Sequence, residues 1–480
     1  MDDSVRGTGT VLAALDRRPP TSLYWSLTLL ATLGGFLFGF DTANIGSALP
    51  FLPYHLGPFW AGYLVAGASL GAAAGALLAG PLTDRFGRKS LLIVDAGLYA
   101  AGALLSAFTW DAWVLIVART IIGLAIGADS AIATAYIAEY APSGRRGQLS
   151  MLQQWMITVG ILVAYVVAMV VLMFMPHHAY GLDWRLIFGV GAVPAILGLL
   201  LRTRMPESPR WLMLRGRYEQ ARRAIGKLGI TATVEEIQRD AIALERGEAE
   251  GRRAQKRSWT PGVKKALMVV CVFFIFQQIT GINVPLYYGP TLLTPLLQGS
   301  DATLVQSQIA SVQVTAIMTL VNVAATYFGF RYIDKLGRRP LAIGGFAGMA
   351  VFALVAAAGL AFFSGIATII VVMLGLCLFI ASFAVGVGGT GWVIQGETFP
   401  TEVRGRAAAI SATVNWVSNF ALIQIFPMAK AGIGLGWVLA SFAALCVCAI
   451  VFVKRSLPET KGIPVDDIIH IYERRTASAA

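Results

Sequence analysis

The chain has 480 residues, of which 56% are hydrophobic and 13% charged, and its formal net charge is +12. Soluble globular chains carry about 25% charged residues, so this is not the composition of a soluble Rossmann or TIM-barrel enzyme, and four cysteines in this length exclude a secreted disulfide scaffold. A membrane-spanning helix needs about 20 apolar residues, so twelve would fill half the chain and leave the rest for loops.

Residues 1–22 are polar and of mixed charge, without the pattern of a cleaved leader, so they are expected to be a cytoplasmic segment preceding a retained helix. Apolar runs follow near 25–49, 60–82, 90–109, 113–138, 150–175 and 185–202. A long polar break comes next, then six more runs near 266–290, 308–330, 341–363, 366–396, 407–427 and 433–453. The expected fold is therefore an all-α membrane protein of twelve transmembrane helices in two six-helix bundles. The domains are 23–203 and 265–455, joined by a cytoplasmic linker at 204–264 and followed by a tail at 456–480. The linker reads as two amphipathic helices, Arg210–Leu228 and Val234–Arg246. It is too short for a catalytic domain, and no GxxxxGK[ST] phosphate loop is present.

All the basic residues except Arg119, Arg185 and Lys430 fall in the termini, the central segment 202–265 or alternate loops. The positive-inside rule then predicts a multi-pass protein of the cell membrane with both termini and the linker in the cytoplasm. The excess of positive charge thus reads as topology rather than as a nucleic-acid surface. Cys271, Cys377, Cys446 and Cys448 lie in apolar runs and read as small hydrophobes.

The two halves repeat. Asp84-Arg-Phe-Gly-Arg-Lys89 returns as Asp334-Lys-Leu-Gly-Arg-Arg339, and Glu139 with Arg146 returns as Glu397 with Arg404. Pro206-Glu-Ser returns as Pro458-Glu-Thr, again about 250 residues further on. Parallel six-helix repeats of this kind place a binding site at the midplane between them. Asp84, Arg88, Glu139, Arg146, Asp334, Arg338, Glu397 and Arg404 are expected to form ion pairs that join helix ends at the inner face and separate as it opens.

Charges inside a span are costly, so each is a functional candidate. Asp41 in the first helix and Arg119 in the fourth lie at similar depth in the outer half, and are expected to pair. Asp95, early in the third helix, is left unassigned, and Asp129 leaves three readings open: a second proton site, a cation contact, or a structural partner for a basic residue at the inner gate. All four histidines, His55, His177, His178 and His470, fall outside the runs, which leaves carboxylates to carry any proton. No nucleophile–base pair or metal-ligand cluster appears, so neither an enzyme, a metal site nor a cofactor is expected.

Taken together, Asp84–Lys89, Arg119-Thr-Ile-Ile-Gly123, Pro206-Glu-Ser-Pro-Arg-Trp211, Gln277-Gln278 with Gly281-Ile-Asn283, Asp334–Arg339 and Pro458-Glu-Thr-Lys-Gly462 resemble the sugar porters of the major facilitator superfamily. The resemblance runs from Gly34 to Gly462. It implies alternating access and a monosaccharide-like substrate, and an acid at the position of Asp41 marks proton-coupled members. It also places Gln154, Gln277, Gln278, Asn283, Asn322, Trp392, Asn415 and Trp416 at sugar-contact positions. Amides both donate and accept without charge, which suits a neutral polyol, and Trp392 and Trp416 are placed to stack on a pyranose. Tyr287 and Tyr288 are expected to form an outer gate. Two features depart from the family: Gly386-Val-Gly-Gly-Thr-Gly391 replaces a proline-rich break, and Ala384 stands where an acid is common. The expected function is proton–monosaccharide symport by a monomer in lipid. The rival readings are transport of an organic acid or cation, facilitative uniport, and a sensor.

Overall fold

The computed structural model describes residue 11 and residues 22–54, 56–140, 146–174, 179–257, 259–298, 302–463 and 468–473. Residues 1–10 and 12–21, His55, Arg145, His177, His178 and the last seven residues lie outside this set. Among the described residues there is no strand, and twelve segments are long and apolar enough to cross a membrane. In the first half these are α1 (Ser22–Ala48), α2 (Pro58–Phe86), α3 (Arg88–Ala107), α4 (Ala112–Tyr140), α5 (Arg146–Phe174) and the pair α6 (Trp184–Val190) and α7 (Ala192–Thr203).

The linker holds α8 (Pro209–Leu214), α9 (Tyr218–Lys227) and α10 (Val234–Arg257). The second half holds α11 (Pro261–Ile279) with α12 (Asn283–Leu297), α13 (Leu304–Leu336), α14 (Arg338–Phe362), α15 (Ile366–Phe383) with α16 (Gly389–Thr398), α17 (Thr401–Ile433) and α18 (Leu435–Ser456).

Lipid gives no hydrophobic drive between apolar helices, so close packing must hold them together. The sequence supplies small residues for it. Gly71 and Gly75 on α2 meet Gly123 and Gly127 on α4, and a Cβ on any of the four would overlap a backbone carbonyl of the facing helix. Gly39 on α1 and Gly160 on α5 meet in the same way. A glycine also sets the tight α2–α3 corner, where Gly87 has φ +93°, and its repeat at Gly337 between α13 and α14 has φ +91°. An L side chain would strain the backbone at both.

The first expected linker helix is two helices. Gly216 adopts φ +68° and stops α8, and Arg217 opens α9. Their apolar faces (Trp211, Leu212, Ala221, Ile225) join Ile237 of α10 on a core with Leu92, Ile132 and Tyr136. The linker is thereby fastened to the end of the first bundle that carries the basic loops, called here the basic end. Trp211 Nε1 donates to the Asp84 carbonyl at 3.0 Å, and Tyr136 Oη to the Pro206 carbonyl at 2.9 Å.

The two halves meet at the opposite end and at mid-depth. Gln308 Nε2 donates to the Pro50 carbonyl at 3.0 Å, and Gln424 Nε2 to the Phe59 carbonyl at 2.8 Å. Tyr165 Oη donates to the Leu286 carbonyl at 2.7 Å, and Asn419 Nδ2 to Ser69 Oγ at 3.2 Å. These bonds close the space between the halves at the end away from the basic loops.

Candidate functional site: a buried ion pair beside an amide cluster

Asp41 lies seven residues before the end of α1, and Arg119 seven residues after the start of α4. At 1.5 Å per residue both are about 10 Å from the end opposite the basic loops. The structure brings them together: Arg119 Nη1 is bonded to Asp41 Oδ1, with side-chain exposures of 0% and 3%. Asp41 Oδ2, Arg119 Nε and Arg119 Nη2 are buried with no hydrogen-bond partner among the described residues. Withdrawing two charges from water costs several kcal/mol per ion, and only good geometry with further hydrogen bonds recovers it. Here a single contact joins the charges and three polar atoms remain open, so the pair is an expensive fixture and a poor structural clamp. Thr42, the next residue, donates from Oγ1 to Tyr287 Oη of the second half at 3.3 Å.

The amides form two linked groups on the second half. Asn283 Nδ2 donates to Gln278 Oε1 at 2.7 Å and to Asn419 Oδ1 at 3.1 Å, and the Asn419–Ser69 bond carries this group across to α2. Gln277 Nε2 donates to the carbonyls of Val387 at 3.1 Å and Gly388 at 2.9 Å. Both carbonyls belong to a π-helical turn, Ala384–Gly388, between α15 and α16. Such a turn frees carbonyls from the regular ladder, so the glycine-rich replacement for the family's proline break does interrupt the helix, and Gln277 takes up what it exposes. Asn415 Nδ2 lies 3.5 Å from Gln277 Oε1.

Asn322 is buried on α13 and accepts from Thr326 Oγ1 at its carbonyl. Gln154 is half-buried on α5. Trp392 is half-buried and tilts against Phe274, with ring centroids 5.0 Å apart. Trp416 reaches out of the second half: it meets Phe38 edge-on at 5.0 Å and packs with Leu37, Tyr99 and Ile126 of the first, its Nε1 unpartnered among the described residues. Tyr287 and Tyr288 are buried, and Tyr288 Oη donates to the Ile423 carbonyl at 3.1 Å.

The repeated acids and bases at the basic end build two matching networks. Arg88 Nε donates to Glu139 at 3.1 Å and lies 3.6 Å from Asp84. Arg338 Nη2 contacts Glu397 at 2.6 Å and Asp334 at 2.9 Å. Each network ties helices of one half. Asp84 and Asp334 are exposed members, while the arginines are largely buried. Arg404 donates from Nε to the Phe399 carbonyl at 3.0 Å, and the Arg146 side chain lies outside the described residues.

The model of the family described as "Sugar (and other) transporter" matches residues 27–472. The chain belongs to this sugar transporter family. It is 33% identical over 457 residues to the D-xylose transporter of Levilactobacillus brevis, covering 93% of this chain and 95% of that protein. It is also 33% identical over 447 residues to the arabinose-proton symporter of Bacillus subtilis, covering 92% and 93%. A partially occluded, inward-open structure of the xylose transporter XylE from E. coli superposes with a TM-score of 0.77 at 30% identity, covering 92% of this chain and 99% of that one.

Two features of this sugar transporter escaped the sequence reading. The first is a pair of helix caps. Glu207 accepts from the backbone N–H groups of Arg88 at 3.0 Å and Lys89 at 3.1 Å, at the start of α3. Glu459 does the same for Arg338 at 2.9 Å and Arg339 at 3.0 Å, at the start of α14. The signal was present, because the Pro-Glu-Ser and Pro-Glu-Thr repeats carry these two acids. Partial burial pushes the Glu459 carboxyl up, but backbone N–H donors from Arg338, Lys461, Arg339 and Thr460 outweigh it and hold the group below the ordinary carboxylate range.

The second is Arg202. Counted in the sequence as a charge of the central segment, it sits inside α7, fully buried, with Nη1 2.6 Å from Asp129 Oδ1. Of the three readings for Asp129, the structure supplies the basic partner that one required.

Proposed function

We propose that the protein is a secondary active transporter that takes up a monosaccharide or related polyol together with a proton, by alternating access. The observation that carries this reading is the incompletely bonded Asp41–Arg119 pair, buried one residue from a cross-half contact and beside a cluster of uncharged amides. A proton on Asp41 removes the charge that Arg119 balances. The pair then loosens, α1 and α4 repack, and the Thr42–Tyr287 bond passes the change to the second half. Because the halves are joined at the end away from the basic loops, proton and sugar leave towards the basic end in this conformation.

By the positive-inside rule the basic end is cytoplasmic, which puts both termini and the linker there and makes the direction uptake. The boundaries at residues 22, 203, 264 and 455 divide the chain into tail, bundle, linker, bundle and tail on this reading. Gln154, Gln277, Gln278, Asn283, Asn322 and Asn415 supply hydrogen bonds to sugar hydroxyls, and Trp392 and Trp416 stacking surfaces. Tyr287 and Tyr288 close the outer side. The arginine networks hold each bundle as a rigid body in a monomer surrounded by lipid.

The relatives named for xylose transport and arabinose–proton symport support this substrate class. The energy scale is adequate, since one proton crossing 100 mV contributes about 2.3 kcal/mol.

The test is a panel of labelled solutes offered to proteoliposomes under an imposed pH gradient. Saturable uptake of a monosaccharide, reduced by competing sugars and collapsed by an uncoupler, is the expected result. Uptake confined to organic acids or cations overturns the substrate class. Sugar equilibration that never exceeds the outside concentration overturns coupling in favour of uniport.

A further inference from the structure

We propose that Asp95, Asp129 and Arg202 form a second proton site, in the basic-end half of the first bundle, where the two carboxylates share one proton. Asp95 is on α3, Asp129 on α4 and Arg202 on α7, with exposures of 5%, 3% and 0%. Arg202 is held from three directions: Nη1 lies 2.6 Å from Asp129 Oδ1 and donates to the Leu92 carbonyl at 2.8 Å, and Nε reaches the Leu30 carbonyl at 3.4 Å. Asp129 Oδ2 occupies the space that a side chain on Gly34 would fill. Asp95 Oδ2, Asp129 Oδ2 and Arg202 Nη2 are buried with no hydrogen-bond partner among the described residues. Together with Tyr99 they line one small pocket.

The charges do not balance. Asp95 feels both Asp129 and Arg202, so two carboxylates face one guanidinium. The packed elements offer little else. α1 presents Gly34, Leu37 and the Leu30 carbonyl, and α3 adds Tyr99, whose hydroxyl is committed as a donor to the Leu37 carbonyl at 2.9 Å. The next charges outward, Asp41 and Arg119, balance each other. With both acids ionised, one negative charge is left buried and unmatched, which costs several kcal/mol. A proton on either carboxyl removes that charge. A hard cation suits the pocket poorly, because it wants six or more oxygen ligands and Arg202 already occupies the space.

The site also lies where a proton leaving Asp41 for the basic end would pass. Tyr99 lines this pocket and sits within electrostatic reach of Asp41 and Arg119. Trp416 of the second half packs in the same cluster as Leu37 and Tyr99, so movement of the other bundle bears on the pocket wall. The place in the transport cycle rests on the symport reading above; occupancy by a proton does not.

The test is infrared spectroscopy of the purified full-length protein, reading the C=O stretch of a protonated carboxyl and its shift in heavy water. An Asp41→Asn background removes the acid of the outer pair; Asp183 and Asp240, also buried, remain, so the band read is the part that the added substitutions remove. A protonated band is expected to persist there and to vanish when either Asp129→Asn or Asp95→Asn is added, because the remaining carboxylate is then matched by Arg202. A band unchanged by both additions overturns the proposal, as does its replacement on adding sodium chloride, which would mark a cation site. Should Asp129→Asn fail to fold, Asp95→Asn alone decides. Failure of Asp41 to couple transport would show in vesicle uptake and leave this band untouched.

Discussion

Replacing Glu459 by glutamine removes a charge without changing shape. In the wild type, Glu459 Oε1 accepts from the N–H groups of Arg338 at 2.9 Å, Thr460 at 3.0 Å and Lys461 at 3.0 Å, and Oε2 accepts from Arg339 at 3.0 Å. An amide can keep the three Oε1 bonds as neutral ones, but its NH₂ then faces the Arg339 N–H and that bond is lost. Hydrogen bonds to charged groups are worth about 1.5–3 kcal/mol and neutral ones about 0.5–1.5, so at the low end of these ranges the change costs about 4.5 kcal/mol if fully buried. Glu459 is only partly buried, and solvent screening halves this at least, to about 2 kcal/mol.

The sign of the pH effect follows from the same bonds. The folded group titrates below its unfolded value of about 4.3, so its contribution is present above that pH and fades as pH falls through the lower folded value. The assay is thermal unfolding in detergent from neutral to acid pH. Glu459→Gln is expected to unfold several degrees lower at pH 7, with the gap narrowing towards acid. An unchanged midpoint, or a gap independent of pH, would refute the capping argument.

Three other outcomes follow from the packing. Gly34→Ala places a methyl on Asp129 Oδ2, so its yield of folded protein should collapse; Gly34→Ala with Asp129→Ala should recover much of it, as read by size-exclusion profiles. Gln277→Ala leaves the Val387 and Gly388 carbonyls of the π-helical turn without their donor. At about 1–3 kcal/mol per buried orphan group, that variant should unfold earlier and also bind sugar at least tenfold more weakly in an equilibrium assay. Glu207→Gln, the counterpart of Glu459→Gln in the other bundle, should cost a similar amount, and the two effects should add because the sites share no partners.

Much of the fold is legible because membrane burial writes itself into the chain locally. Twenty apolar residues, a basic loop, and a repeated acid–base motif can each be read without neighbours, and together they give twelve helices in two halves. The Asp41–Arg119 pair was legible for the same reason: each is a lone charge in an apolar run, and their depths can be counted from the helix ends. Arg202 was not, because it stands at the edge of a basic stretch, and only the fold shows that it turns inwards to Asp129 rather than out to water. The caps made by Glu207 and Glu459 are similarly non-local, since the helices they serve lie more than a hundred residues earlier. The Arg88 and Arg338 networks were legible as ion pairs between helix ends, while only packing shows that each set closes within its own bundle. The break at Gly216 was missed because amphipathic period continues across it while a single positive φ ends the helix.

The central claim is that a proton on Asp41 drives sugar uptake. Its most direct test is sugar accumulation in proteoliposomes under an imposed pH gradient, measured beside sugar exchange at equal pH, for the wild type and Asp41→Asn. The account predicts that the wild type concentrates sugar, while the variant loses accumulation and keeps exchange. Undiminished accumulation by Asp41→Asn would contradict it.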